Sequence, residues 1–176
     1  LVISDNHGSW PKVNEICQHF KDKVDYFFHC GDSEFQFDDP VWDYFDAKVT
    51  GNMDFDPQYP PTALIETSVG KVLLAHGHLH NLHLSNQDLI KLAKEKGVNF
   101  LFHGHTHVLY ATLEEGILCV NPGSLYRSRG PQSDKTFAIV TTDDRNYQVD
   151  FYNDKIELIP SLTQVISRGE GLHAPS

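Results

Sequence analysis

Cysteine is scarce: three residues in 176, at Cys17, Cys30 and Cys119. An odd, widely spaced set with apolar neighbours excludes a disulfide framework and a paired-cysteine metal site. The three read as small core hydrophobes in a reducing compartment, so the expected location is cytoplasmic. Long apolar runs are also missing. Nothing approaches the roughly 20 residues that cross a bilayer, and no secretory leader is visible, so no membrane partner is expected. Positive charge is in short supply, with 14 Lys and Arg against 24 Asp and Glu for a formal net charge of −10. Such a chain does not grip polyanions through a basic surface, which argues against stable binding of duplex nucleic acid. Any phosphate contact needs a local source of positive charge. Internal repeats of the solenoid kind are absent as well.

Histidine, by contrast, is plentiful. There are eleven, with His76, His78, His80 and His83 crowded in one segment and His103, His105 and His107 in another. The remaining composition, 40% hydrophobic and 22% charged, is that of an ordinary globular chain. Its length fits a single domain over residues 1–166, with small and polar residues 167–176 as a flexible tail.

Read in order, residues 1–4 form a short apolar strand that runs into Asp5-Asn6-His7-Gly8. Ser9 is placed to cap a helix to about residue 21, with Pro11 in its first turn and Val13, Ile16, Cys17 and Phe20 on one face. Residues 24–30 read as a strand ending in Gly31-Asp32, and a short helix covers 40–45. A third strand over 47–50 ends in Gly51-Asn52-Met53-Asp54, and Pro57, Pro60 and Pro61 then force an extended linker. Residues 63–69 and 71–75 form a hairpin turned at Gly70, whose second arm ends in His76-Gly77-His78. An amphipathic helix over 86–96 stops at Gly97, and a buried strand over 98–102 leads into His103-Gly104-His105-Thr106-His107. The rest is β-rich, over 108–113, 117–120, 136–142 and 147–152.

Strand and helix alternate in the first half and antiparallel hairpins fill the second. This predicts an α/β fold in which a sheet with outer helices packs on a second sheet. Five strand ends carry polar signatures of one kind. Ligands in α/β sheets sit outside the carboxyl ends of strands, so all five should converge. His105 and His107, two apart, would leave the same face of an extended backbone, and Asp5 and His7 repeat that spacing.

The candidate ligands are Asp5, His7, Asp32, Asn52, His76, His105 and His107. Imidazole, carboxylate and amide donors without a thiolate suit borderline divalent ions: Mn²⁺, Fe²⁺, Zn²⁺ or Ni²⁺. Seven donors exceed the needs of one such ion and match two ions sharing a carboxylate.

The run Asp-x-His, Gly-Asp, Gly-Asn-x-Asp, His-Gly-His and Gly-His-Thr-His resembles the calcineurin-like metallophosphoesterases, especially their small bacterial and archaeal phosphodiesterases. Asn121-Pro122-Gly123-Ser124 belongs to the same likeness. The resemblance implies a four-layer αββα sandwich of two mixed sheets. It also implies Asp5, His7 and His107 on one metal, Asn52, His76 and His105 on a second, and Asp32 between them, with Mn²⁺ the first choice of ion. The implied activity is hydrolysis of a small phosphodiester or other phosphate ester by a hydroxide held between the two ions.

In one respect the chain departs from the family pattern. Many members place a histidine directly after Gly-Asn, where it is thought to assist the leaving group; here that residue is Met53, which cannot transfer a proton. Asp54 is the remaining candidate for direct catalysis there, or else it caps the turn and orients Asn52. His78 is a candidate for contact with substrate, or for a structural hydrogen bond. His29 and His103 read as interior supports and His19 as a solvated helix residue. Arg127 and Arg129 read first as solvated loop arginines, with a bidentate phosphate contact as the second reading, while Phe35, Phe37 and the 79–85 loop are expected around the mouth of the site. Two other readings fit the same residues: a non-catalytic metal-binding scaffold acting in protein–protein interaction, and a mononuclear enzyme with two histidines and one carboxylate. A homo-oligomer is compatible with either.

Overall fold

The structure, a computed structural model, describes residues 1–82 and 84–168. His83 and residues 169–176, most of the expected tail, lie outside the described residues. In chain order the elements are β1 (Val2–Ile3), α1 (Trp10–Phe20), β2 (Phe28–His29), a 3-10 helix (Pro40–Tyr44), β3 (Ala47–Lys48), β4 (Thr62–Thr67), β5 (Gly70–Ala75) and α2 (Gln87–Lys96). They continue with β6 (Phe100–Phe102), β7 (Tyr110–Glu114), β8 (Ile117–Asn121), β9 (Thr136–Thr142), β10 (Asn146–Asn153), a second 3-10 helix (Pro160–Leu162) and β11 (Gln164–Ser167).

The strands form two mixed sheets, ordered β11-β10-β9-β1-β2-β3 and β4-β5-β6-β8-β7. In the first, β1, β2 and β3 run parallel; in the second, β5, β6 and β8 do. The hairpin strands join these parallel cores from the outside.

Side-chain alternation sorts the apolar residues into three layers. Val2, Phe28, Val149 and Phe151 of the first sheet meet Val72, Leu74, Phe102 and Val120 of the second. One residue along, Ile3, Phe27 and Phe137 face outward onto Val13, Ile16, Cys17 and Phe20 of α1. Leu73, Leu101 and Cys119 likewise turn onto Leu89, Ile90 and Ala93 of α2. The result is the αββα sandwich. Strands covered on both faces carry continuous apolar runs, which is why 100–102 and 117–120 show no polar alternation.

Local details differ from expectation. The strand over 24–30 is paired regularly only at Phe28–His29, though the Phe28 and Cys30 N–H groups extend the ladder to the Leu1 and Ile3 carbonyls. Ser9 makes no side-chain cap; its carbonyl accepts the Val13 N–H instead. Gly97 does end α2, at φ 66°, donating its N–H to the Ala93 and Lys94 carbonyls. β11 was not foreseen. It pairs along β10 as a largely exposed edge and takes in Ser167, so its sequence carries no burial pattern to read. Among the described residues, no helix is long and apolar enough to cross a membrane.

Because β1, β2 and β3 run parallel, their carboxyl ends share one edge, and those of β5, β6 and β8 share another. Cross-bonds join the two: Ser124, after β8, donates its hydroxyl to the Asp5 carbonyl at 2.7 Å. Leu101 has no exposed surface and touches the α2 layer, so Leu101→Ala is expected to cost about 2–5 kcal/mol in urea unfolding. A loss well under about 1 kcal/mol would contradict the packing of α2 on this sheet.

Candidate metal centre

The loops leaving the strand ends bring all seven candidate ligands to one place. Asp5 and His7 follow β1, Asp32 follows β2, Asn52 follows β3, His76 follows β5, and His105 and His107 follow β6. Asp5 lies at the centre and is fully buried. Its Oδ1 is 2.9 Å from His76 Nε2, 3.3 Å from His107 Nε2 and 3.9 Å from His7 Nε2. Its Oδ2 accepts hydrogen bonds from the Ser4 hydroxyl at 2.6 Å and the His105 N–H at 2.9 Å.

Asp32 Oδ2 stands 3.2 Å from His76 Nε2 and 3.6 Å from His7 Nε2. Two groups result, Asp5–His7–His107 and Asp5–Asp32–His76, each with its ligand atoms within 4.8 Å of one another. Asp5 belongs to both, whereas the family pattern gives the shared place to Asp32; Asp32 nonetheless reaches a histidine of each group. The His105 ring packs on His76 with centroids 4.9 Å apart. His105 and the exposed Asn52 line a cleft of about 450 Å³ together with His7, Asp32 and His107.

A cation fits this donor set. His7 Nδ1 lies 2.8 Å from Glu34 Oε2, which puts the ring proton on Nδ1 and leaves the Nε2 lone pair facing inward. That Nε2 is buried and has no hydrogen-bond partner. His107 is oriented in the same sense, with Nδ1 3.1 Å from the Arg127 carbonyl and Nε2 toward Asp5. A buried lone pair beside carboxylate oxygens is an arrangement that a divalent ion satisfies and a neutral interior does not.

The backbone holding these groups is strained. Asp5 (φ 54°), His7 (45°), Asp32 (57°), His105 (75°) and His107 (61°) all occupy the left-handed region. For residues other than glycine this costs about 1–3 kcal/mol each. The histidines after β6 are therefore not on an extended backbone, and a shared strand face is not what brings them together. Their turns are held by bonds between loops, including Asp5 N–H to the Gly31 carbonyl at 2.9 Å and Gly104 N–H to the His76 carbonyl at 3.1 Å. Gly104 permits this because a Cβ there would overlap the Ser4 and Asp5 side chains.

Several residues act as props. His29 Nδ1 accepts the Gly31 N–H at 3.0 Å, so Nε2 carries the proton and donates to Asn6 Oδ1 at 2.6 Å. Burial pushes its pKa down to about 3, keeping it neutral as this pattern requires. His103 is also buried, pushed down to about 4, with Nε2 2.6 Å from the Tyr110 hydroxyl.

Asp54 is directed inward. Its carboxylate accepts the N–H groups of Asp32 (2.7 Å), Gly51 (2.8 Å) and Glu34 (2.8 Å) and the Ser33 hydroxyl (3.4 Å). Both oxygens are thus engaged in tying the β2 and β3 loops together. His78 places Nδ1 3.1 Å from His76 Nδ1 and is not among the residues lining the cleft.

Phe35 and Phe37 do not border the mouth. They pack with Trp42 and Tyr59 beneath the 3-10 helix, because the turn at Ser33–Glu34 carries the chain back onto the α1 face. No described residue of the 79–85 loop lines the cleft, whose outer wall is instead Glu34, Met53, Tyr126 and Arg129. Sequence reasoning missed Glu34, Tyr126 and the polar props Ser4 and Asn6. Only Ser124 had a signal, in the Asn-Pro-Gly-Ser run.

An αββα sandwich with buried histidines and aspartates at its strand ends defines a class of metal-dependent phosphoesterase-like folds. The chain belongs to the calcineurin-like phosphoesterase superfamily, whose domain model matches residues 1–145. It is 32% identical over 153 residues to YsnB of Bacillus subtilis, named a probable metallophosphoesterase, covering 87% of this chain and 89% of that protein. A structure from Streptococcus pneumoniae TIGR4, described as a predicted phosphoesterase, superposes with a TM-score of 0.91 at 38% identity, over 94% of this chain and 95% of that one. Entamoeba histolytica Vps29, solved with zinc, shares the fold with a TM-score of 0.72 at 19% identity, over 96% of this chain and 98% of its own.

Charge coupling gives the metal-free site a pH signature. Burial alone would lower the His76 pKa, but the charge of Asp5 and bonds to Asp32 and Asp5 override it and push it up to about 9. Burial opposes ionisation of Asp5 too, yet His76 and the bonds from His107, His76 and Ser4 hold it well below the usual carboxylate range. A raised histidine stabilises the fold below its ordinary value near 6.5, and that contribution is lost as pH rises through about 9. A divalent ion must displace the same proton. The His76 contribution to the metal-free thermal midpoint, read as the difference from His76→Gln, is therefore expected to fall between pH 6.5 and 9, while the rise caused by excess Mn²⁺ or Ni²⁺ grows over that window. A metal effect that shrank with rising pH would contradict the coupling.

Proposed function

We propose that the protein is a phosphodiesterase that works with two divalent metal ions, Mn²⁺ first among Mn²⁺, Ni²⁺, Zn²⁺ and Fe²⁺. The observation that carries this reading is the pair of ligand groups sharing Asp5, with Asp32 reaching a histidine of each. Asp5, His7 and His107 would hold one ion, Asn52, His76 and His105 the other, with Asp32 contributing to both. When bound, the ions polarise a phosphate oxygen and lower the pKa of a held water toward about 7, which makes attack on phosphorus available at neutral pH.

The chain's own residues do the positioning. Glu34 and the Arg127 carbonyl fix the tautomers of His7 and His107, so that Nε2 of each is free to bind. We read Asp54 as the brace that sets Asp32 against Gly51, and His78 as the group that orients His76 through Nδ1. The three free, buried cysteines agree with a reducing, cytoplasmic setting.

The position after Gly51-Asn52 supplies no acid for a departing alkoxide. Met53 lines the cleft and carries no proton, and Asp54 is committed to four donors. Metal-loaded protein is therefore expected to cleave bis-p-nitrophenyl phosphate much faster than a dialkyl phosphodiester. Equal rates would mean that a leaving-group acid exists after all. No turnover with Mn²⁺, Ni²⁺ or Zn²⁺ would favour the scaffold reading.

The division of ligands has its own test. His105→Ala and His107→Ala are expected each to retain about one of two ions by metal analysis, with a different ion lost in each, and both to abolish hydrolysis. A wild-type content of one ion per chain would leave the mononuclear alternative standing.

A further inference from the structure

Arg127 and Arg129 are alike in sequence terms, two arginines in a loop rich in Gly, Ser and Pro. Their positions separate them. Arg129 lines the cleft beside His7, Asn52 and His107, and Arg127 does not. Among the described residues Arg129 is the one lysine or arginine on that wall, and its guanidinium has no hydrogen bond or ion pair to any of them. Apart from histidines, the other acidic or basic side chains lining it are the carboxylic side chains of Asp32 and Glu34.

The loop that carries Arg129 is anchored to the ligand loops. Its own N–H donates to the His107 carbonyl at 3.0 Å. Upstream, the Ser124 hydroxyl accepts the Tyr126 and Arg127 N–H groups at 2.9 and 3.1 Å while donating to the Asp5 carbonyl. Downstream, the Ser128 hydroxyl accepts the Gly130 N–H at 3.1 Å and donates to the Gln132 carbonyl at 2.6 Å. The loop is thus tied to Asp5 through Ser124 and Tyr126 and the arginine's own backbone to His107, while its head has no partner among the described residues. An unpaired guanidinium, always charged and forked, matches two oxygens of a tetrahedral phosphate.

We infer that Arg129 is the residue that binds the non-reacting oxygens of the substrate's phosphate. The inference rests on the phosphoester reading of the site. It adds a protein-borne recognition group beside the candidate metal ligands, and it makes the bidentate fork, rather than charge alone, the requirement.

The test uses Mn²⁺-loaded wild type, Arg129→Ala, Arg129→Lys and the exposed control Lys135→Ala. Inorganic phosphate binding is read by calorimetry, bis-p-nitrophenyl phosphate turnover by absorbance, and metal content by elemental analysis. A charge-assisted pair lost on removing the guanidinium predicts about tenfold or greater weakening of phosphate binding in Arg129→Ala. A comparable rise in KM is expected, with kcat changed much less and metal content unchanged. Arg129→Lys should recover only part of the affinity, and Lys135→Ala should match wild type. Phosphate binding in Arg129→Ala equal to wild type, or no phosphate binding by loaded wild type, overturns the inference. Arg129-dependent phosphate binding without ester turnover would keep it and sink the proposed function, whereas turnover with an unchanged KM in Arg129→Ala would do the reverse.

Discussion

A fully buried carboxylate governs this structure. An ionised aspartate removed from water is costly unless its lone pairs are covered. Asp5 is covered by groups from three separate loops: Ser4 beside it, His76 after β5, and the His105 N–H and His107 ring after β6. Those loops belong to different sheets, so satisfying one carboxylate joins the two halves of the sandwich at that edge. The close backbone approach at Gly104 serves the same end, since any side chain there would displace Ser4 and Asp5.

The strain in the ligand loops follows from this convergence. Strand ends deliver backbones, not side chains, to the right place, and left-handed turns at Asp5, His7, Asp32, His105 and His107 then swing donors inward. Such conformations persist only where surrounding structure over-determines them. Here the determinants are visible: loop-to-loop bonds, the Asp54 brace between the β2 and β3 turns, and the His29–Asn6 pair beneath Asp5 and His7. Stability is thereby exchanged for donor positions that need little rearrangement when a cation arrives.

The layers were readable from the chain because each depends on local periodicity, as in Val13, Ile16, Cys17 and Phe20 on α1 or the doubly buried run of β6. The convergence of the candidate ligands was readable because their motifs recur after strands. The reason given for His105 and His107, a shared face of an extended strand, does not hold: both residues lie at positive φ. Residues whose roles depend on a partner distant in sequence could not be read. Nothing in the sequence says that Asp54 turns its oxygens onto the Asp32 and Glu34 amides, that Glu34 reaches His7, or that Phe35 folds under Trp42 rather than toward the cleft. Arg129 belongs with them, distinguished from Arg127 only by which residue the loop turns inward.

The sign of the charge in the cleft depends on its metal content. Without cations, the three carboxylates of Asp5, Asp32 and Glu34 outnumber the protonated His76 in a chain already at −10, and one arginine at the rim does not reverse that over a Debye length of roughly 10 Å. On the proposed reading, two divalent ions against the Asp5, Asp32 and Glu34 carboxylates would leave a surplus near one positive charge, concentrated at the base of the cleft. On that reading, metal loading would precede phosphate binding on electrostatic grounds, and Arg129 would act on an anion already drawn in by that field. This ordering reconciles an acidic chain with an anionic substrate. The attraction is local, conditional on the ions, and confined to the edge where both sheets end.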